Sequence, residues 1–125
     1  MTELDIDDVI LLHKMMSKAT GGASGIRDMA ALESAIYHSY ATFDGKDLYP
    51  TTEEKAGRQA FGIIRNHPFI DGNKRTGLFV MLVFLELNGV KLKFSQSELV
   101  WLGNRIASGR LGPSGLIKWI NKHRE

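Results

Sequence analysis

Apolar residues recur along most of this chain at intervals of three and four, the spacing of one helix face, and short polar or glycine-containing breaks interrupt the recurrence. Asp5, with Asp8 three residues on, makes an N-cap signal before Ile6, Val9, Ile10, His13 and Met16. That pattern predicts a first helix over residues 6–18, with His13 a core or boundary histidine held by one hydrogen-bond partner. Thr20 to Gly25 reads as a glycine-rich turn; it lacks the lysine and spacing of a Walker phosphate loop. Asp28 caps a second helix with Leu32, Ala35, Ile36 and Ser39 or Tyr40 inward, and Arg27 just before it is expected to pair with a neighbouring carboxylate.

Residues 41–50 have no helical period and read as the longest irregular connection. Thr51 with Glu54 forms a capping box for a third helix, whose Ala56, Ala60, Ile63 and Ile64 share a face up to His67. Arg65, near its end, could face a substrate or only water. The next helix is predicted from Asn73 to Asn88 with Gly89 as its C-cap; apolar on nearly all sides, it should be the buried centre. Val90 to Phe94 alternates in strand fashion but is too short for a sheet, so an extended connector is expected. Ser95 and Glu98 open a fifth helix with Leu99, Leu102 and Ile106 inward and Trp101 at its edge or on a contact surface. After the break at Gly109 to Gly112, Pro113-Ser114 opens a last helix with Leu116, Ile117 and Ile120 inward and Lys118, Lys122, His123 and Arg124 toward water. The expected fold is all-α: a single domain over residues 1–125, a compact helical bundle of about six helices around a central one.

Composition narrows the class. At 125 residues and 43% hydrophobic content the chain suffices for one core. The net charge is only +2, with 16 basic residues dispersed along the chain, so charge gives no reason to expect direct nucleic-acid binding. There is no cysteine, which fits a reducing cytoplasm, and the acidic Met1 to Asp8 is unlike a signal peptide. The longest apolar run, Leu78 to Leu85, is too short to span a bilayer, so no membrane partner is expected.

One stretch concentrates chemistry: His67-Pro68-Phe69-Ile70-Asp71-Gly72-Asn73-Lys74-Arg75-Thr76-Gly77. Pro68 disfavours helix at His67, and Gly72 permits the turn from which the next helix starts. The first turn of a helix carries partial positive charge and normally attracts Asp or Glu, yet here it holds Lys74 and Arg75. Each misplaced cation costs about 0.3–1 kcal/mol at an exposed site, and a multiply charged anion would remove the conflict. A bland account, in which His67 and Asp71 cap helix ends and the cations extend into water, fits each residue singly but not all of them together. For a nucleotide polyphosphate, the Gly72-Asn73 amides would cradle oxygens and Lys74 and Arg75 would neutralise charge. Asp71 could then hold Mg2+, and His67 could take a proton from an attacking hydroxyl. Spacing alone does not say which phosphorus is attacked.

The run HPFIDGNKR resembles the signature of the Fic/Doc superfamily, and its Asn73-Lys74-Arg75 resembles the Doc (death-on-curing) branch. Agreement extends to Gly21-Gly22, Gly25-Ile26-Arg27-Asp28, Leu32-Glu33-Ser34-Ala35, Asp44-Gly45, Tyr49-Pro50, Glu54-Lys55-Ala56 and Leu87-Asn88-Gly89. Fic proteins usually transfer AMP from ATP to a protein hydroxyl, with glycine where Lys74 stands and arginine where Leu78 stands. In the Doc branch the nucleotide is understood to bind inverted, offering its γ-phosphate.

The resemblance therefore implies a toxin-like kinase using Mg-ATP on a Ser/Thr hydroxyl of a translation factor like elongation factor Tu. His67 would be the general base, Asp71 the magnesium ligand, and Gly72, Asn73, Lys74 and Arg75 the phosphate binders. It further implies that Phe43, Asp44, Gly45, Lys46, Asp47, Leu48 and Tyr49 form a mobile flap pairing with the target's backbone; without it, an ordinary surface loop is the simpler reading. No inhibitory string of the form Ser/Thr-x-x-x-Glu-Gly/Asn occurs, so inhibition is expected from an antitoxin chain in trans. A Fic-type AMP transferase and a non-catalytic helical binding domain are the alternatives.

Overall fold

A computed structural model describes residues 1–125. It contains six helices: α1 (Ile6–Thr20), α2 (Met29–Ser39), α3 (Thr52–Asn66), α4 (Asn73–Leu87), α5 (Gln96–Ala107) and α6 (Pro113–Lys122). The only sheet is a two-stranded hairpin, β1 (Thr42–Phe43) with β2 (Lys46–Asp47). The all-α bundle expected from the apolar period is the observed one. No helix is long and apolar enough to cross a membrane.

Most helix starts follow local chemistry. Asp5 and Asp8 close a reciprocal capping box on α1, Ser95 and Glu98 do so on α5, and Asp28 caps α2 by accepting the Ala31 N–H. The box expected on α3 is only half made: Thr51 accepts the Glu54 N–H, but the Glu54 carboxylate accepts from the Thr51 hydroxyl instead of from its backbone. Helix α1 runs to Thr20, past the expected residue 18, because Gly21 supplies the left-handed stop. Helix α4 ends at Leu87 with Asn88 as its cap, one residue before the glycine expected there; the Asn88 amide satisfies the Phe84 carbonyl.

The core is shared by two helices. Helix α3 packs on α2, α4, α5 and α6, while α4 packs on α1, α3 and α5. The expected centre, α4, does bury Leu78, Val80, Met81, Phe84 and Leu85, but Glu86 and Leu87 face solvent. Truncating one of these large core side chains to alanine costs about 2–5 kcal/mol. Two glycines allow the layers to approach. A Cβ on Gly62 would lie 2.7 Å from that of Ala35 in α2, and a Cβ on Gly77 would lie 2.7 Å from Ile64 and 3.1 Å from the Ala60 carbonyl in α3. The second contact locks the end of α3 beside the beginning of α4.

Expectations at the periphery need correction. Residues 41–50 are irregular only in part: within them residues 42–47 form the hairpin, where Asp44 and Gly45 both take positive φ, the requirement of a tight turn whose twist matches its strands. Residues 91–93 are the extended connector expected, and a single antiparallel bridge ties them to the C-terminal residues through Lys93 N–H to His123 O and Glu125 N–H to Lys91 O. This draws His123 out of water, stacks it 4.0 Å from buried Trp119, and bonds its Nε2 to Glu98 at 2.6 Å. Trp119, and not half-buried Ile117, fills the core position.

Candidate active site

His67 ends α3 in a left-handed conformation (φ 50°, ψ 55°), which for a side chain other than glycine costs about 1–2 kcal/mol. Two neighbours hold it there. Pro68 blocks helical continuation, and Arg27 donates to the carbonyls of His67 (2.7 Å) and Asn66 (2.9 Å). The carboxylate partner expected for Arg27 is thus replaced by a helix C-terminus, which attracts a cation for the same electrostatic reason. Arg65 serves likewise at the end of α5, donating to Ala107 O at 3.0 Å, and so belongs to packing and not to the cleft. The exposed His67 imidazole makes no hydrogen bond within the protein, leaving its ring nitrogens available to a substrate.

The loop from Pro68 to Gly72 is pinned from both sides. Gly25 O accepts the Ile70 N–H, and Pro68 O accepts from the N–H groups of Arg27 and Asp28. Asn73 turns its side chain back, accepting the Phe69 N–H and donating to the Phe69 carbonyl, each at 3.0 Å. Its side-chain amide is therefore a loop clamp; what it can offer a phosphate is chiefly its backbone N–H.

Helix α4 begins without a side-chain cap. Gly72 (φ 75°) occupies the N-cap, so the N–H groups of Asn73, Lys74 and Arg75 have neither an intrahelical nor a side-chain acceptor. Lys74 reaches across to Asn104 Oδ1 (2.9 Å) on α5; Arg75 is exposed and makes no ion pair or hydrogen bond. His67, Asp71, Gly72, Asn73, Lys74 and Arg75 all line one cleft of about 740 Å³ between α1, α4 and α5. The other walls include Met16, Leu78, Phe79, Leu82, Leu99 and Val100. Asp71 is the cleft's only carboxylate, beside two permanent cations.

The Asp71 carboxylate accepts from the N–H groups of Gly72 (2.8 Å) and Ala23 (3.3 Å), and its carbonyl accepts from His13 Nε2 at 2.9 Å. The glycine turn after α1, expected to be only a turn, is therefore part of this site. A Cβ on Gly22 would lie 3.0 Å from Asp71 Oδ2, so a larger residue there would press on the carboxylate. No three His, Cys, Asp or Glu side chains converge into a protein-only metal cage. A lone carboxylate with spare acceptor capacity still fits Mg2+, which commonly takes one or two carboxylates and completes its shell with phosphates and water.

Residues 43–49, expected as a target-binding flap, do not line the cleft. The base of the hairpin is fastened to the other end of α3, where buried Lys55 bonds Asp47 (3.1 Å) and the Tyr49 carbonyl, and Arg58 stacks over the Tyr49 ring. Lys55 lies roughly 18 Å from His67 along the helix.

A family model described as the Fic/DOC family matches residues 3–85, which contain the whole motif and the loop that wraps Asp71. The chain belongs to the Fic/DOC family. Among its Fic/DOC relatives, the Toxin Doc of Mycolicibacterium smegmatis (strain ATCC 700084 / mc(2)155) is 40% identical over 93 residues, 74% of this chain and 69% of that protein. The Protein kinase doc of Escherichia phage P1 is 30% identical over 122 residues, 98% of this chain and 95% of that protein. The Fic/DOC match stops within α4, so Asn104, the partner of Lys74, lies beyond it.

Proposed function

We propose that this chain is a Doc-type toxin that acts as a kinase, transferring the γ-phosphate of Mg-ATP to a Ser or Thr hydroxyl of a translation factor resembling elongation factor Tu. The observation that carries the proposal is the cleft in which an unbonded imidazole, a single carboxylate, two cations and an uncapped helix N-terminus share one wall. Backbone N–H groups at such a terminus and guanidinium or ammonium groups are the partners a triphosphate needs. The names of the two relatives, a toxin and a protein kinase, support the same reading.

In this reading a ring nitrogen of His67 accepts the proton of the target hydroxyl as its oxygen bonds to the γ-phosphorus. The bond from that phosphorus to the bridging oxygen breaks, and ADP leaves with the electron pair. Lys74 and Arg75 neutralise the phosphates, and Asp71 would hold Mg2+, which supplies further charge neutralisation when bound. Two features favour γ- over α-transfer. The Lys74 side chain crosses the cleft to Asn104 where a bare backbone would let phosphate approach, and Leu78 packs against Gly103 instead of presenting a guanidinium.

The apolar wall of the cleft, with exposed Leu11 and Met15 on α1, suits a segment of an antitoxin supplied in trans. The site of action is the cytoplasm, where ATP and translation factors meet. Incubating the protein and a cell lysate with γ- or α-labelled ATP tests the proposal: label from the γ position alone supports the kinase. Label from the α position replaces it with AMP transfer, and label from neither leaves a binding domain. Expression of the chain alone should arrest growth, and co-expression of the antitoxin should restore it.

A further inference from the structure

His13 projects from α1, 2% exposed, with its ring stacked on Phe69 at 3.8 Å between centroids and 4° between planes. Its Nε2 lies 2.9 Å from the Asp71 carbonyl oxygen. A carbonyl only accepts, so Nε2 carries the proton and the ring donates. Ser17 Oγ, at 3.4 Å, is a weak second contact to the same nitrogen.

The accepting carbonyl belongs to the peptide unit joining Asp71 to Gly72. In a planar trans peptide the C=O and N–H point in opposite directions. Here the opposite end, the Gly72 N–H, donates to Asp71 Oδ1 at 2.8 Å. One chain of hydrogen bonds thus runs from the imidazole through the peptide to the carboxylate, while Ala23 N–H holds the other carboxylate oxygen. Gly72 sits at φ 75°, and glycine tolerates either sign of φ at little cost. With no Cβ at Gly72, a flip of that peptide is opposed by these hydrogen bonds and not by the residue's own sterics, and a flip would withdraw the N–H from the carboxylate.

We infer that His13 is a positioning residue: its Nε2–H locks the 71–72 peptide and through it orients the Asp71 carboxylate in the cleft. The role of that carboxylate toward magnesium rests on the proposed function; the lock itself does not. Partners that orient a metal-binding group typically change metal affinity by about 10- to 100-fold when removed.

The test compares wild type with His13→Phe, which keeps the stack on Phe69 and loses the donor, and His13→Gln, which restores a donor. Exchange of the Gly72 amide proton is read by NMR, and binding of ATP is measured with and without Mg2+ by calorimetry. The lock predicts faster Gly72 exchange in His13→Phe, partial recovery in His13→Gln, and about a tenfold loss confined to the magnesium-dependent part of ATP binding. Unchanged Gly72 exchange in a folded His13→Phe would overturn it. Where that variant fails to fold, the imidazole nitrogen spectrum of wild type decides: a proton on Nε2 of His13 is expected, and an Nδ1–H tautomer contradicts the lock. Altered Gly72 exchange without any magnesium-dependent binding in wild type leaves the lock standing and removes Asp71 as a metal ligand.

Discussion

Helices α4 and α5 begin in opposite ways, and the contrast separates structure from function. Helix α5 settles its own N-terminus: Ser95 accepts the Glu98 N–H, and Glu98 accepts the Ser95 N–H at 2.9 Å. Those contacts, first the Ser95 backbone N–H and then the His123 ring, hold the Glu98 carboxyl down at about 2, well below its ordinary 4.5. Helix α4 settles nothing. It starts on a glycine, bears Lys74 and Arg75 where α5 bears an acid, and leaves three N–H groups without side-chain acceptors. A terminus organised this way is the one that the proposed triphosphate would complement.

The sharpest way to break the comparison is at the imidazole. His67→Asn removes the base while keeping a residue that tolerates the left-handed conformation. Phosphate transfer should fall by about 10²- to 10⁴-fold with the thermal midpoint nearly unchanged. Transfer at wild-type rate would remove His67 from the chemistry.

A subtler change exchanges the logic of the two helix ends. Arg75→Glu gives α4 the acid that α5 already has, and the apo protein should gain about 0.3–1 kcal/mol. ATP affinity should fall at the same time, measured by calorimetry beside a denaturant titration. Loss of stability with intact binding would mean that Arg75 serves the fold. The opposite expectation holds on α5, where Ser95→Ala should cost about 1 kcal/mol and leave ATP binding and transfer unaltered.

The smallest effect is the pH dependence of the α5 end. Because the folded value for Glu98 is depressed, its contribution is complete above pH 4.5 and is lost as pH falls toward about 2. Acid unfolding should therefore start at lower proton concentration in Glu98→Gln than in wild type, as followed by circular dichroism.

Much of this was legible in the residues. The helical period located six helices because each buries an amphipathic face, and Asp5, Asp28 and Ser95 marked starts that local hydrogen bonds then formed. The motif was legible as well, since Lys74 and Arg75 break a local rule within a few residues of His67 and Asp71.

What escaped were contacts between segments distant in sequence. Arg27 at the end of α3, Arg65 at the end of α5, and His13 with Ala23 on Asp71 are fixed by packing and leave no periodic signal. The hairpin is a different kind of miss. Asp44-Gly45 is a strong turn signal, but strands of two residues are too short for alternation to reveal them. The attachment of the hairpin base to α3 through Lys55 and Arg58 could not be read from spacing either.

A crystal structure with magnesium and a non-hydrolysable ATP analogue tests the central claim most directly. The account predicts phosphates on the N–H groups of Asn73, Lys74 and Arg75, with the γ-phosphorus turned toward His67. A nucleotide bound outside this cleft, or one presenting its α-phosphorus to that imidazole, would contradict it.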